Sequence, residues 1–272
     1  MLCLRFNLSC QYYFLIISGQ IHLAFLKTLL FFSIINFAIS IYNLFLIQSH
    51  CMLNRILSYL IPVVLYKKKS KLSKTLEVTW NNGELVIDSE NTNYSYGDLQ
   101  RVLKYGLEHI GFDTIAQKEN ILVLGVAGGS VIKTLIEEIH YKGKITGVEI
   151  DPEIINIANK YFNLQDIPNL TIVIDDAFEF VLKSKDTYDL IIIDIFQDTK
   201  MPSFLYQNFF TDRICNLLNH KGFILFNTML LNKKQNLLNE TYISSFKKEN
   251  FNIRAIPRLE KHNELIVIER TN

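Results

Sequence analysis

Residues Ile121-Leu-Val-Leu-Gly-Val-Ala-Gly-Gly-Ser130 constrain this chain more than any other stretch. Four apolar, β-prone residues run into a glycine-rich turn, and Val131 to His140 then reads as a helix. Strand, tight turn and helix start, in that order, make a nucleotide-binding corner. Glycines let the backbone approach a ligand, and the helix start offers free N–H groups. A dinucleotide site wants Gly-x-Gly-x-x-Gly, and here Ala127 and Ser130 stand at its second and third glycines. The residues that follow decide which nucleotide fits.

From Asn120 onward apolar runs alternate with helical patterns. Strand Asn120–Gly125 leads to helix Ser130–His140, strand Lys144–Glu149 to helix Pro152–Phe162, and strand Leu170–Ile174 to helix Ala177–Lys183. Strand Tyr188–Asp194 leads to helix Phe204–Leu218, and strand Gly222–Asn227 to helix Leu237–Lys248. Strands Phe251–Ile256 and Glu264–Glu269 close the chain around Pro257. A continuous apolar strand such as Leu190-Ile-Ile-Ile193 suits a sheet buried on both faces. Right-handed crossovers then predict an α/β fold: a Rossmann-like, doubly wound, mostly parallel seven-stranded sheet with a terminal antiparallel pair. Ahead of it, Thr75–Trp80 and Glu84–Asp88 flank Asn81-Asn82-Gly83, which reads as a β-hairpin. Tyr96 to Ile110 has helical spacing and ends at Gly111.

Ligands of such sheets bind at the carboxyl ends of the strands. The first strand ends in the glycine loop, with Gly125, Ala127, Gly128 and Gly129 as candidate nucleoside contacts. The second ends in Glu149-Ile150-Asp151, where a carboxylate can accept from both ribose hydroxyls; the third ends in Asp175-Asp176-Ala177, where one can accept from an adenine amine. The fourth ends in Asp194 and, four residues later, Asp198, close to where the reactive end of a nucleoside would lie. Asp151, before Pro152, reads as a helix cap, and Asp175 as a solvated acid.

At these residues the sequence resembles the spermidine synthase (polyamine aminopropyltransferase) family, which is built on the class I S-adenosylmethionine-dependent methyltransferase fold. The resemblance rests on Leu124-Gly-Val-Ala-Gly-Gly129, Gly147-Val-Glu-Ile-Asp-Pro152, Asp175-Asp-Ala-Phe-Glu-Phe180 and Tyr188-Asp-Leu-Ile-Ile-Ile-Asp194, and runs from about Leu76 to Asn227. It implies transfer of an aminopropyl group from decarboxylated S-adenosylmethionine to a diamine such as putrescine. Glu149 would then hold the ribose, Asp176 the adenine amine, and Asp194 would be the acid at the reacting centre. Asp198, with Tyr94 or Tyr96 closing the pocket from the hairpin side, would suit a cationic amine. Ile150 and Ala177 complete the expected cofactor site. The sequence departs from the family pattern where Gly128 replaces the Asp of Gly-Gly-Gly-Asp-Gly-Gly, where the segment after Asp194 is one residue longer, and where Tyr96-Gly97-Asp98 stands for Tyr-(His/Gln)-Glu. Gly128 keeps a second reading open: methyl transfer from S-adenosylmethionine to an unknown small acceptor. A catalytically silent nucleoside-binding scaffold is the third.

The N-terminal region obeys different compositional rules. Residues 1–66 carry only Arg5, Lys27 and Arg55 as formal charges, and all 27 acids lie beyond them. Leu29–Ile47 is an uncharged apolar run about long enough to cross a bilayer, followed by Lys67-Lys68-Lys69, Lys71 and Lys74. Two readings stand: a membrane anchor that keeps the catalytic domain cytoplasmic, or a non-native extension of residues 1–51 ahead of a start at Met52. The expected division is residues 1–66 as the apolar region, 67–98 as a β-hairpin subdomain and 99–272 as the transferase domain. With 28 basic and 27 acidic residues there is no electrostatic case for nucleic acid. Cysteines 3, 10, 51 and 215 and the six histidines show no metal-ligand spacing, so no metal is expected. A small-molecule amine is the expected partner, with a homodimer and membrane contact through residues 1–66 as further candidates.

Overall fold

The computed structural model describes residues 30–31, 33–37, 39–42, 52–89, 93–196, 201–260 and 262–272. The chain divides into two units, Met1–Leu57 and Ser58–Asn272. In the first, every described residue is helical. Among the described residues no helix is long and apolar enough to cross a membrane; the apolar run 29–47 lies partly outside them.

The second unit opens with an antiparallel four-stranded sheet in the order β1 (Val63–Ser70), β2 (Lys74–Asn81), β3 (Glu84–Ser89) and β4 (Asn93–Ser95). The predicted hairpin is its middle pair. Asn82 and Gly83 form the two-residue turn at φ 50° and 78°, and the left-handed backbone at both positions is what Asn-Gly supplies. Lys67-Lys68-Lys69 lies inside β1 and pairs in register with Glu77, Leu76 and Thr75 of β2, in that order. Tyr66 stands half-buried just ahead of them on this strand and pairs with Val78 of β2.

Helices α1 (Asp98–Ile110) and α2 (Phe112–Ala116) lead into the main sheet. That sheet contains β5 (Asn120–Leu124), β6 (Lys144–Glu149), β7 (Leu170–Ile174), β8 (Tyr188–Ile193), β9 (Leu218–Met229), β10 (Phe251–Leu259) and β11 (Asn263–Arg270). Their spatial order is β10-β11-β9-β8-β5-β6-β7. Strands β5 to β9 pair in parallel and β9-β11-β10 antiparallel, so the expected seven-stranded architecture is the one observed. Alternate residues serve opposite layers. Ile121, Val123, Leu190, Ile192, Leu225 and Leu265 pack on the α1 side. Leu122, Leu124, Ile191, Ile193, Phe226 and Ile266 face the other layer. Each fully buried Leu or Ile contributes roughly 1.5–3 kcal/mol, which makes this two-faced sheet the dominant source of stability.

The connecting helices are α3 (Ser130–Lys133), α4 (Pro152–Phe162), α5 (Ala177–Lys183), α6 (Asn208–Leu217) and α7 (Lys233–Ser244). Three differ from expectation. After α3 the chain continues as a π-helical turn, Thr134–Glu138, in which Ile139 N donates to the Thr134 carbonyl five residues back at 3.1 Å. Gln207 is extended, so Ser203–Tyr206 forms a separate 3₁₀ turn ahead of α6. Helix α7 begins four residues early because the Asn232 side chain caps it by accepting from Gln235 N. Strand β9 is longer than predicted at both ends because β8 and β11 flank it and continue the pairing.

Candidate active site

The tips of β5, β6, β7 and β8 meet around one cavity of about 470 Å³. Gly125, the first residue after β5, has φ 88°, and a Cβ on it would lie 2.2 Å from the Asp194 carbonyl oxygen. Only glycine fits there, and its presence lets the β5 and β8 tips close on each other. The next two residues turn their N–H groups onto one carboxylate. Glu149 Oε2 accepts from Val126 N at 3.1 Å and Ala127 N at 3.0 Å, while Oε1 accepts from Asp151 N at 3.0 Å. Burial pushes the Glu149 carboxyl upward and these three bonds oppose it. Three of its four lone-pair positions are thus engaged within the protein, and one remains for a ligand hydroxyl.

Asp151 caps α4 by accepting from Glu153 N at 3.0 Å, as its place before Pro152 predicts. Its second oxygen accepts from Ser70 Oγ and from Ser73 Oγ (2.7 Å), which pins the β1–β2 turn over the cavity, where Leu72 and Ser73 join the lining. At the β7 tip, Asp176 accepts from Phe178 N at 2.7 Å and so caps α5 with one oxygen. Asp175 accepts from Asp176 N at 2.9 Å, and both acids line the cavity. At the β8 tip, Asp194 accepts from Asn227 Nδ2 at 2.9 Å. Burial, with the Glu149 charge adding to it and the Asn227 bond opposing it, pushes the Asp194 carboxyl up to about 6.

The structure brings together Gly125, Ala127, Glu149, Ile150, Asp176, Ala177 and Asp194 on the cavity lining. It places three other candidates elsewhere. Gly128 and Gly129, in the same loop, are off the described cavity lining: a Cβ on Gly128 would meet Ile87 at 2.8 Å and Ser95 at 2.9 Å, and one on Gly129 would meet Leu164 at 2.5 Å. Tyr96 is buried, stacked on Phe162 with ring centroids 4.3 Å apart, and its hydroxyl donates to the Gly128 carbonyl at 3.0 Å. It therefore packs against the glycine loop and is not on the cavity lining, because its backbone at φ 71° turns it under the loop. Asp198 lies outside the described residues.

The far wall adds Asp98, which the sequence marks only as the end of Tyr96-Gly97-Asp98, and Glu260, which it does not mark. Asp98, at the start of α1, and Glu260, in the β10–β11 turn, both line the cavity. Arg101 bridges them, pairing with Asp98 and with Glu260 at 3.0 Å. Nothing local in the sequence marks Glu260, which lies 111 positions beyond Glu149 and reaches the cavity only through sheet topology. The described lining therefore holds six carboxylates, Asp98, Glu149, Asp175, Asp176, Asp194 and Glu260, and no Lys, Arg or His.

The spermine/spermidine synthase domain model matches residues 101–262, more than half of the chain. The chain belongs to the spermine/spermidine synthase family. It is 32% identical over 131 residues to a polyamine aminopropyltransferase of Vibrio vulnificus, covering 47% of this chain and 44% of that one. Matches to the curated relatives span about half of each relative's length or less. Among solved structures, the spermidine synthase of Thermotoga maritima superimposes with a TM-score of 0.57 at 18% identity, covering 77% of this chain and 73% of that one. Human methyltransferase-like protein 13 in complex with SAH gives 0.54 at 18% identity, covering 65% and 83%. Both likenesses concern the fold, which the family shares with methyltransferases. Within the family frame, the departure at Gly128 has a steric cause: Ile87 and Ser95 of the four-stranded sheet fill the space that a side chain would need.

Proposed function

We propose that this protein transfers an aminopropyl group from decarboxylated S-adenosylmethionine to a diamine such as putrescine. One observation carries the reading: six carboxylates and no basic side chain on the described lining of a nucleoside-sized cavity. Such a wall attracts a sulfonium and ammonium groups and repels an extra carboxylate. Ordinary S-adenosylmethionine carries that carboxylate and the decarboxylated form does not, so the lining favours aminopropyl over methyl transfer.

The residues present fit the nucleoside. Glu149 keeps one acceptor position for a ribose hydroxyl, and Asp176 keeps one oxygen free of its helix cap for an adenine amine. Ile150, 42% exposed, and Ala177 offer apolar surface to the ring. When bound, the sulfonium supplies the leaving group: the amine nitrogen bonds to the propyl carbon, the carbon–sulfur bond breaks, and its electron pair stays on sulfur as a neutral thioether. Asp194 takes the proton that the attacking amine releases, and a carboxyl poised near 6 holds enough base form at neutral pH to do so. Asp98 and Glu260 hold the distant ammonium, with Arg101 setting their separation. Positioning by these acids supplies most of the rate enhancement, since the leaving group needs no activation. Asp198 is kept as the sequence's candidate for the amine, outside the described residues, and Tyr96 acts on the glycine loop.

The same reading keeps the catalytic domain cytoplasmic, with residues 1–66 as the candidate membrane contact and a homodimer as the candidate assembly. Carbonate extraction of membranes and light scattering test the two. The decisive experiment incubates the purified protein with putrescine and either form of S-adenosylmethionine. Mass spectrometry should find methylthioadenosine and spermidine with the decarboxylated form alone. S-adenosylhomocysteine from the ordinary form, with no methylthioadenosine from the other, would overturn the assignment.

A further inference from the structure

Asp194 stands at the end of a chain of side-chain amides that crosses three adjacent strands. Asn227 Nδ2 donates to Asp194 Oδ1 at 2.9 Å, and Asn263 Nδ2 donates to Asn227 Oδ1 at 3.0 Å. Ile193 pairs with Phe226 across β8 and β9, so Asp194 and Asn227 follow as neighbours at the strand ends. Leu265 pairs with Asn227 across β9 and β11, which puts Asn263, two residues earlier, on the same face. Asn227 is fully buried, whereas Asp194 and Asn263 line the cavity.

The chemistry of the groups dictates the direction of this chain. An ionised carboxylate only accepts, so the edge of Asn227 that faces Asp194 must be its NH2. The opposite edge is then a buried carbonyl, which needs a donor. Asn263 is that donor. Asp194 and Asn263 together hold the amide of Asn227 from both edges; without Asn263 its buried carbonyl loses its donor and the amide is held from one side alone.

We propose that Asn263 and Asn227 are positioning residues acting in series: Asn263 fixes the amide of Asn227, which holds Asp194 Oδ1 and leaves Oδ2 as the atom that receives the proton. The last clause rests on the transferase reading; the orientation of the carboxylate does not. Glu149 is the charged group acting directly on Asp194. Asp98, Asp175, Asp176 and Glu260 are the other ionisable groups of the described lining. Glu264, next to Asn263 in sequence, is engaged by Asn239 Nδ2 at 2.6 Å and stands outside the chain of amides.

The test is the isosteric change Asn263→Asp beside the uncharged Asn263→Ala. An aspartate at 263 only accepts, so it competes with Asp194 for the Asn227 NH2 and adds a negative charge beside it. The Asp194 titration, read by carbon NMR of aspartate-labelled protein and assigned with Asp194→Asn, should move up from about 6 by about one pH unit or more in Asn263→Asp. Asn263→Ala, which adds no charge, should move it in the same direction. The acid limb of kcat should follow, with KM for both substrates changed less than about twofold. An unmoved titration in both variants would overturn the proposal, as would a rise in KM with an unmoved acid limb, the mark of a substrate contact. If Asn263→Asp does not fold, Asn263→Ala decides alone. The titration needs no turnover, so a wild-type protein that makes no methylthioadenosine would sink the transferase reading while the amide chain is still judged on its own.

Discussion

Replacing Gly128 with Asp restores the acid of the family's glycine loop and tests whether packing, and not chemistry, excludes it here. The new Cβ would lie 2.8 Å from Ile87 Cδ1, 2.9 Å from Ser95 Cβ and 2.9 Å from Ser95 Oγ. Ile87 is fully buried and Ser95 1% exposed, so neither has room to withdraw. Ser95 Oγ also accepts from Ser130 N, at the start of α3, so moving it disturbs the helix start. Overpacking of this kind costs about 2 kcal/mol, and a carboxylate forced against Ile87 without a full set of partners about 1 kcal/mol more. A loss of about 3 kcal/mol lowers Tm by roughly 6–12 °C in a unit of this size. Differential scanning fluorimetry of wild type, Gly128→Ala and Gly128→Asp should show a graded fall. Titration with decarboxylated S-adenosylmethionine should show no gain in affinity. A Gly128→Asp protein that melts with the wild type and binds the ligand more tightly would refute the steric argument.

Three further outcomes are expected. The Asp194 carboxyl lies near 6 when folded against an ordinary 3.8, so its contribution to stability is intact below about pH 4 and is lost as pH rises through 6, by about 3 kcal/mol. Asp194→Asn should therefore match wild type near pH 4 and melt above it near pH 8, while turnover falls by about 10²–10⁴ and nucleoside binding survives; a melting difference independent of pH contradicts this. Gly125→Ala sets a Cβ 2.2 Å from the Asp194 carbonyl at φ 88°, and should cost roughly 3 kcal/mol and abolish a thermal shift with methylthioadenosine. Asp151→Ala removes a helix cap and the acceptor of Ser70 and Ser73, lowering stability by about 2–3 kcal/mol and weakening ligand binding through the β1–β2 turn. Asp151→Asn retains an acceptor for Glu153 N and should lose less than half of that; equal losses in denaturant melts argue against the pinning role.

Much of this fold is legible in local sequence because its signals are local. Period-two strands, Asn82-Gly83 at a left-handed turn and the apolar run Leu190–Ile193 each state their conformation within a few residues. The carboxylates of the nucleoside half were legible for the same reason: Glu149, Asp176 and Asp194 each follow directly on a strand whose end is predictable. The Asn232 cap, an Asn three residues ahead of a Gln, is local as well, yet the predicted helix begins only at Leu237. Distant pairings were not legible. Asn263, Glu260 and Asp98 reach the cavity because β11 runs antiparallel beside β9 and because α1 lies near the β10–β11 turn. Tyr96 has the residue type of a substrate contact, and only its stacking on Phe162 and its bond to Gly128 show that it supports the loop. The sequence by itself determined the layered α/β architecture and an acid at each nucleoside-facing strand tip, since both follow from periodicity and chain order. The tertiary structure alone decided that six carboxylates and no basic side chain meet on the described cavity lining, that Gly128 has no space for a side chain, and which oxygen of Asp194 is held. Those are outcomes of residues far apart in the chain being brought within a few ångströms, where steric exclusion and hydrogen-bond direction act.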